Sequence, residues 1–198
     1  MLHSYLWLTL IAGLLFISFL VALLIKRRPA VMAVDKAIEA WIIRPSPTVE
    51  MEHLHFMLGT WEVAETWGKG SWGNSFKGRS LFKGQLGPGG LSILTDVESV
   101  GPHGQYRSHI MSSWNPYLAV YQGCSVSNLD SGALFWTGKW EQGSLVFDGE
   151  IEVRGKKFVF RRVLSEISKE AYTSQEFVTE SGEGMKLLVT GKAKRRNE

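Results

Sequence analysis

Residues 144–163 read Ser144-Leu145-Val146-Phe147-Asp148-Gly149-Glu150-Ile151-Glu152-Val153-Arg154-Gly155-Lys156-Lys157-Phe158-Val159-Phe160-Arg161-Arg162-Val163. In an extended chain Leu145, Phe147 and Ile151 fall on one face, and Asp148, Glu150 and Glu152 on the other. That is the period-two signature of a strand with one apolar side. Arg154-Gly155 is a hairpin-length link into a second β-rich run, so the two runs are expected to pair antiparallel.

The same pattern extends in both directions. From Gly59 onward, short β-rich runs alternate with Gly, Pro, Asn and Asp, placing strands near 59–67, 75–84, 91–99, 105–114, 118–127, 133–140, 144–152, 156–164, 171–180 and 184–192. Phe76, Ser80 and Phe82 oppose Lys77, Arg79 and Lys83. Gln142-Gly143 and Ser181-Gly182 are further hairpin-length links, so neighbours in sequence should be neighbours in the sheet. About ten hairpin-linked strands expose too much edge to stay open. The expected class is therefore mainly β, an up-and-down antiparallel β-barrel whose interior can hold a small ligand.

Composition narrows what the barrel can do. Of 198 residues, 44% are hydrophobic and 21% charged, with 8 Trp, which excludes a disordered chain. The single cysteine, Cys124, excludes an internal disulfide and every multi-cysteine metal motif. A net charge of +3 and a pI near 9.0 are far from the strongly basic balance of a nucleic-acid binder.

The N-terminal region reads differently. No charged residue occurs from Tyr5 to Ile25, and at ~1.5 Å per residue a helix over these positions is roughly 31 Å long, enough to cross a hydrocarbon core. Lys26-Arg27-Arg28 follows as a stop-transfer cluster. The apolar run exceeds a signal-peptide core, and no small-residue cleavage site follows it. Residues 1–28 are thus expected to form a single-pass transmembrane anchor. Cations follow the span rather than precede it, which places the N-terminus outside and the barrel on the cytoplasmic side. Residues 29–52 read as a juxtamembrane amphipathic helix and Pro-rich linker. Val34, Ala37, Ile38, Trp41 and Ile42 form a stripe that suits either a headgroup layer or the domain surface, and Arg44-Pro45-Ser46-Pro47 ends it. A short helix is expected over Val49–Leu58 with Thr48 as N-cap.

Leu58-Gly59-Thr60-Trp61, after a short helix and at the start of the first strand, resembles the Gly-x-Trp signature that opens lipocalin and other calycin barrels. The order of His55-Phe56-Met57-Leu58-Gly59-Thr60-Trp61-Glu62, the Gly-rich hairpin from Lys77-Gly78-Arg79 to Leu91, Met111-Ser112-Ser113-Trp114, Trp136-Thr137-Gly138 and Arg161-Arg162-Val163 resembles the DUF1579 family of lipocalin-like domains. The resemblance covers roughly residues 53–192. It departs at Asn115-Pro116, where the family often has Asp after the tryptophan strand. It implies a barrel that binds small, mostly apolar molecules and implies no active site. Some calycin barrels bind haem through a late histidine, but here no histidine follows His109, so no cofactor is expected.

Chemistry-bearing motifs are few. Gly68-Lys69-Gly70-Ser71-Trp72-Gly73 matches G-x-G-x-x-G, but a strand follows it rather than a helix, so it reads as a hairpin loop. His53 and His55 have no third ligand nearby, and no metal site is expected. Glu62/Glu65 and Glu150/Glu152 read as solvent-facing strand carboxylates, and Cys124 as a buried, inert thiol. Trp61 is expected to plug the closed end. The candidate ligand-binding residues are Arg107, His109, Trp114, Tyr121, Trp136 and Arg162: aromatic walls with mid-strand polar groups that could anchor a carboxylate or another head group. Residues 193–198 read as a basic tail, solvated or drawn to anionic lipid.

The functional expectation is a membrane-anchored barrel that binds a small hydrophobic ligand, a lipid of the adjacent bilayer being one candidate. It has no catalytic motif, and its partners are the bilayer and that ligand, not nucleic acid. An interaction scaffold with a filled barrel and a calycin-type enzyme are the alternatives. The enzyme would need Arg107, His109 and Tyr121 to converge inside.

Overall fold

In the computed structural model the alternating runs pair as their spacing demands. It describes residues 46–68, 75–101, 104–129, 132–153, 155–180 and 183–196, with the side chains of Val153 and Glu180 set aside. The predicted anchor and the juxtamembrane segment as far as residue 45 lie outside the described residues. Among the described residues no helix is long and apolar enough to cross a membrane. The unit that begins at Ser46 holds everything described below.

Ten strands follow in order: β1 (Gly59–Trp67), β2 (Phe76–Leu86), β3 (Ser92–Gly101), β4 (Gly104–Asn115), β5 (Val120–Ser127), β6 (Ala133–Glu141), β7 (Ser144–Val153), β8 (Lys156–Ser165), β9 (Ala171–Glu180) and β10 (Lys186–Arg195). Each pairs antiparallel with its sequence neighbours, and β1 pairs with β10, closing the barrel and leaving no free edge. Glu141 and Ser144 pair across Gln142-Gly143, both of which have positive φ (49° and 81°), the two-residue geometry that matches strand twist.

Alternation determines what is inside. Trp61 and Val63 of β1, Ser80 of β2, Val97 of β3, Ser108 of β4, Tyr121 of β5, Trp136 of β6, Leu145 and Phe147 of β7, Leu164 of β8, Tyr172 of β9 and Val189 of β10 are all buried. One end of the barrel is covered by a helical turn, α1 (Val49–Glu52), and a 3₁₀ turn over His55–Met57. The helix is shorter than expected, broken at His53–Leu54, and Thr48 makes no side-chain cap. Four residues hold a helix only through packing, and here Met51 and Leu54 are buried against the barrel end while Phe56 packs edge-on to Tyr172.

The C-terminal boundary also differs from the expectation. Residues up to Arg195 are strand rather than solvated tail: Ala193 is buried, and Lys194 and Arg195 pair with Glu62 and Trp61 of β1. The basic character masked a strand in which only alternate residues face water.

Candidate functional site

The closed end explains the Gly-x-Trp pattern. Gly59 has φ +87°, and a Cβ there would lie 2.7 Å from a guanidinium nitrogen of Arg195. Trp61, 1% exposed, donates from Nε1 to the Leu58 carbonyl at 3.2 Å and meets the Tyr172 ring edge at 5.0 Å. The Arg195 guanidinium lies 4.4 Å from the Trp61 ring centroid. It also donates to the carbonyls of Leu58 (2.7 Å), Phe56 (3.3 Å) and Lys169 (2.6 Å), clasping the helical turns to β10 and the β8–β9 connection.

Tyr121 is a second fastening at this end. Its hydroxyl accepts from Trp140 Nε1 at 3.2 Å and donates to the Glu50 carbonyl at 3.1 Å, with His53 Nδ1 at 3.4 Å, and its ring lies 5.0 Å from Trp114. Tyr121 thus joins α1 to the barrel, with Trp114 packed on its ring. Burial pushes the Tyr121 phenol above its ordinary range.

Beyond this plug the interior is hollow, with apolar walls broken by a few polar groups. A cavity of about 210 Å³ reaches the opposite end, the mouth, where Trp67, Gly101, Gly104 and Leu129 line it. A smaller chamber of about 140 Å³ lies toward the plug, against Met57, Trp136, Phe147 and Leu164. Tyr106, Ile110, Arg162 and Glu176 line both chambers. The β8–β9 register sets Arg162 directly opposite Glu176, and Arg162 Nε donates to Glu176 Oε1 at 2.7 Å, with Nη2 on the same oxygen. Burial pulls the Arg162 guanidinium down, but the Glu176 carboxylate outweighs it and holds the pKa above the ordinary value. Nearby Tyr172 is pushed up to about 12, mainly by burial, with Arg162 opposing the shift and Glu176 adding to it.

Glu65 is the second interior carboxylate. The spacing within β1 puts it on the same face as Trp61, Val63 and Trp67, opposite to Glu62. Ser80 donates to its Oε1, and Trp67 Nε1 to its Oε2 at 3.0 Å; Ser99 Oγ lies 3.4 Å from Oε2. The expectation that Glu65 faces solvent with Glu62 is therefore corrected: residues three apart on a strand cannot share a face, and the apolar partners of Glu65 already marked its side.

Of the six expected site residues, Arg162 and Trp136 line the interior chambers, while Trp114 and Tyr121 serve the plug. Arg107 and His109 stand on the outer face of β4, exposed, with His109 Nδ1 2.6 Å from Asp96. They are corrected as interior anchors, because Tyr106, Ser108 and Ile110 occupy the inward positions between and beside them. Arg107, His109 and Tyr121 do not converge. Sequence reasoning missed Tyr106, Glu65 and Glu176; the alternation Tyr172-Ser174-Glu176 was the available signal for the last. Cys124 is half-buried on the outer face, between Met111 and Phe135 in the register.

Neither a protein-family model nor a curated protein matches the sequence. Among solved structures, the chain is similar to Rv2717c from M. tuberculosis, with a TM-score of 0.55 at 9% identity over 77% of this chain and 100% of that one. It is also similar to the S-type phycobiliprotein lyase CpeS from Guillardia theta, with a TM-score of 0.51 at 12% identity over 78% of this chain and 95% of that one. At these identities the likeness concerns the fold alone, a closed antiparallel β-barrel.

Proposed function

We propose that the protein is a membrane-anchored, lipocalin-like barrel that binds a small, largely apolar molecule in its interior. The observation that carries the reading is the cavity of about 210 Å³ that runs to the mouth between Phe82, Val97, Ile110 and Val189 and is punctuated by a few polar groups. Apolar walls with sparse, fixed polar groups are what small-molecule pockets are made of. The fold fits the reading: one barrel of this shape is a phycobiliprotein lyase, and the motif order from His55 to Val163 supports a kinship with DUF1579-type domains. The reading involves binding and no catalytic step.

The anchor rests on the uncharged run from Tyr5 to Ile25 and the cations after it, which also favour a cytoplasmic barrel. A lipid drawn from the adjacent bilayer is the ligand source this arrangement favours. The test is uptake of the neutral fluorophore N-phenyl-1-naphthylamine by the purified full chain, with native mass spectrometry of the protein released from mild detergent. Saturable uptake, competed by a co-purified small molecule, is expected; a barrel that neither retains a molecule nor takes up the probe overturns the reading.

A second reading, a docking module, is favoured by one feature. Met111, Cys124 and Phe135 align in register across the outer faces of β4, β5 and β6, and Phe135 is 67% exposed. Phe135→Ser would leave probe uptake unchanged if the interior is the functional site.

A further inference from the structure

Both charged groups of the Arg162–Glu176 pair are used on each other, so the one cation that lines the chamber among the described residues is already neutralised. Among the described residues Glu65 has no such partner. Its three neighbours, Ser80, Ser99 and Trp67, are neutral donors that fix the direction of the carboxylate without cancelling its charge. All three charged side chains line the same chamber, which is apolar elsewhere along Phe82, Val97, Ile110 and Val189. A described lining with two carboxylates and one guanidinium carries a net negative charge next to apolar wall. We infer that the chamber selects a cationic amphiphile, an apolar body bearing a protonated amine, and that Glu65 is the residue that receives its head group.

The chemistry follows from the cost of burying charge. A carboxylate beside low-dielectric wall is stabilised more by an N⁺–H donor than by neutral hydroxyls, since hydrogen bonds between ionised partners are the stronger ones. An anionic ligand meets the opposite conditions. Its carboxylate would have to displace Glu176 from Arg162, where the register already sets the two side chains face to face, and would lie in the field of Glu65 as well. Discrimination against anions is therefore built in as unfavourable charge, not only as missing contacts. Of the head groups expected for Arg162, a carboxylate or another, the inference disfavours the carboxylate.

The inference rests on the proposed binding function, and one experiment separates the two. Three probes with the same ring, 2-phenylethylammonium, 2-phenylethanol and phenylacetate, are titrated into the purified full chain near neutral pH, with ligand-observed magnetic resonance as readout. The ammonium probe is expected to bind at least tenfold more tightly than phenylacetate, with the alcohol between them. Glu65→Gln, whose amide oxygen still accepts from Trp67 while its amide nitrogen donates to the Ser80 hydroxyl, is expected to bring the ammonium probe down to the alcohol and to leave the alcohol unchanged. Phenylacetate binding as tightly as the ammonium probe, or an ammonium preference that survives Glu65→Gln in a folded variant, overturns the inference while leaving interior binding intact. Failure of all three probes to bind removes the binding function and the inference with it.

Discussion

At the closed end, Trp61, Tyr172, Phe56 and Arg195 meet around a single plug, where every polar atom of the Arg195 guanidinium that is described as bonded reaches a backbone carbonyl. Further along the same axis, Glu65, Arg162, Glu176 and Tyr106 line open space. The strands are the same at both levels, and so is the alternation. What differs is the chemistry placed at successive inward positions: one level is closely packed, and the next is under-filled and carries charged groups among apolar ones. Burying charge in a hollow costs stability, and the aromatic plug is where the barrel recovers it. Close packing is concentrated at the closed end and open space in the mouth half.

The strongest way to break this division is to remove the plug. Trp61→Ala is expected to cost about 3–5 kcal/mol, through the lost ring, the void left under α1 and the stranded Arg195, measured as a fall in the urea midpoint. A loss below ~1 kcal/mol would show that the closed end is not where the stability lies.

A smaller effect tests the boundary between the two levels. Tyr172 touches the Trp61 ring and also feels Arg162 and Glu176. Its pKa of about 12 in the folded chain lies above the ordinary value of 10.0, so between those limits the folded state holds a proton that the unfolded state has released. Stability contributed by the neutral phenol is therefore complete below about pH 10 and declines as pH rises toward 12, by about 2–3 kcal/mol in all at ~1.4 kcal/mol per pH unit. Tyr172→Phe should flatten that decline, read as the difference in denaturation midpoint between pH 9 and pH 11.5. An unchanged alkaline slope would remove Tyr172 as its source.

The smallest effects are expected outside. Arg107→Ala and His109→Ala lie on the outer wall, the latter breaking only an exposed pair with Asp96. Each should change stability by less than about 0.5 kcal/mol and leave probe uptake at the wild-type level. A loss of uptake in either variant would overturn binding in the interior and point to the outer face of β4.

Much of the barrel was legible because a period of two is written in each strand. The first and ninth strands coincide with their expected limits, Gly59–Trp67 and Ala171–Glu180; β5 begins two residues later than expected, and the other seven end one to three residues further on. The candidate site was less legible. Arg107 and His109 share a face with each other but not with Trp114, since an odd and an even position on one regular strand point opposite ways. Grouping them therefore mixed the outside with the inside. Arg161 and Arg162 make the same point: adjacent in sequence, the first pairs outward with Asp148 at 2.7 Å and the second inward with Glu176.

The amino-acid order alone determined that β1 to β10 would form antiparallel neighbours, because hairpin-length links leave the chain no room to do otherwise. It also marked Trp61 as a plug. Only the closed barrel decided which alternate residues share the interior, that Arg195 belongs to the plug rather than to a tail, and that Glu65 lines the hollow beside neutral donors. Those outcomes depend on the pairing register across strands far apart in sequence, and a one-residue slip in any of them would reverse inside and outside.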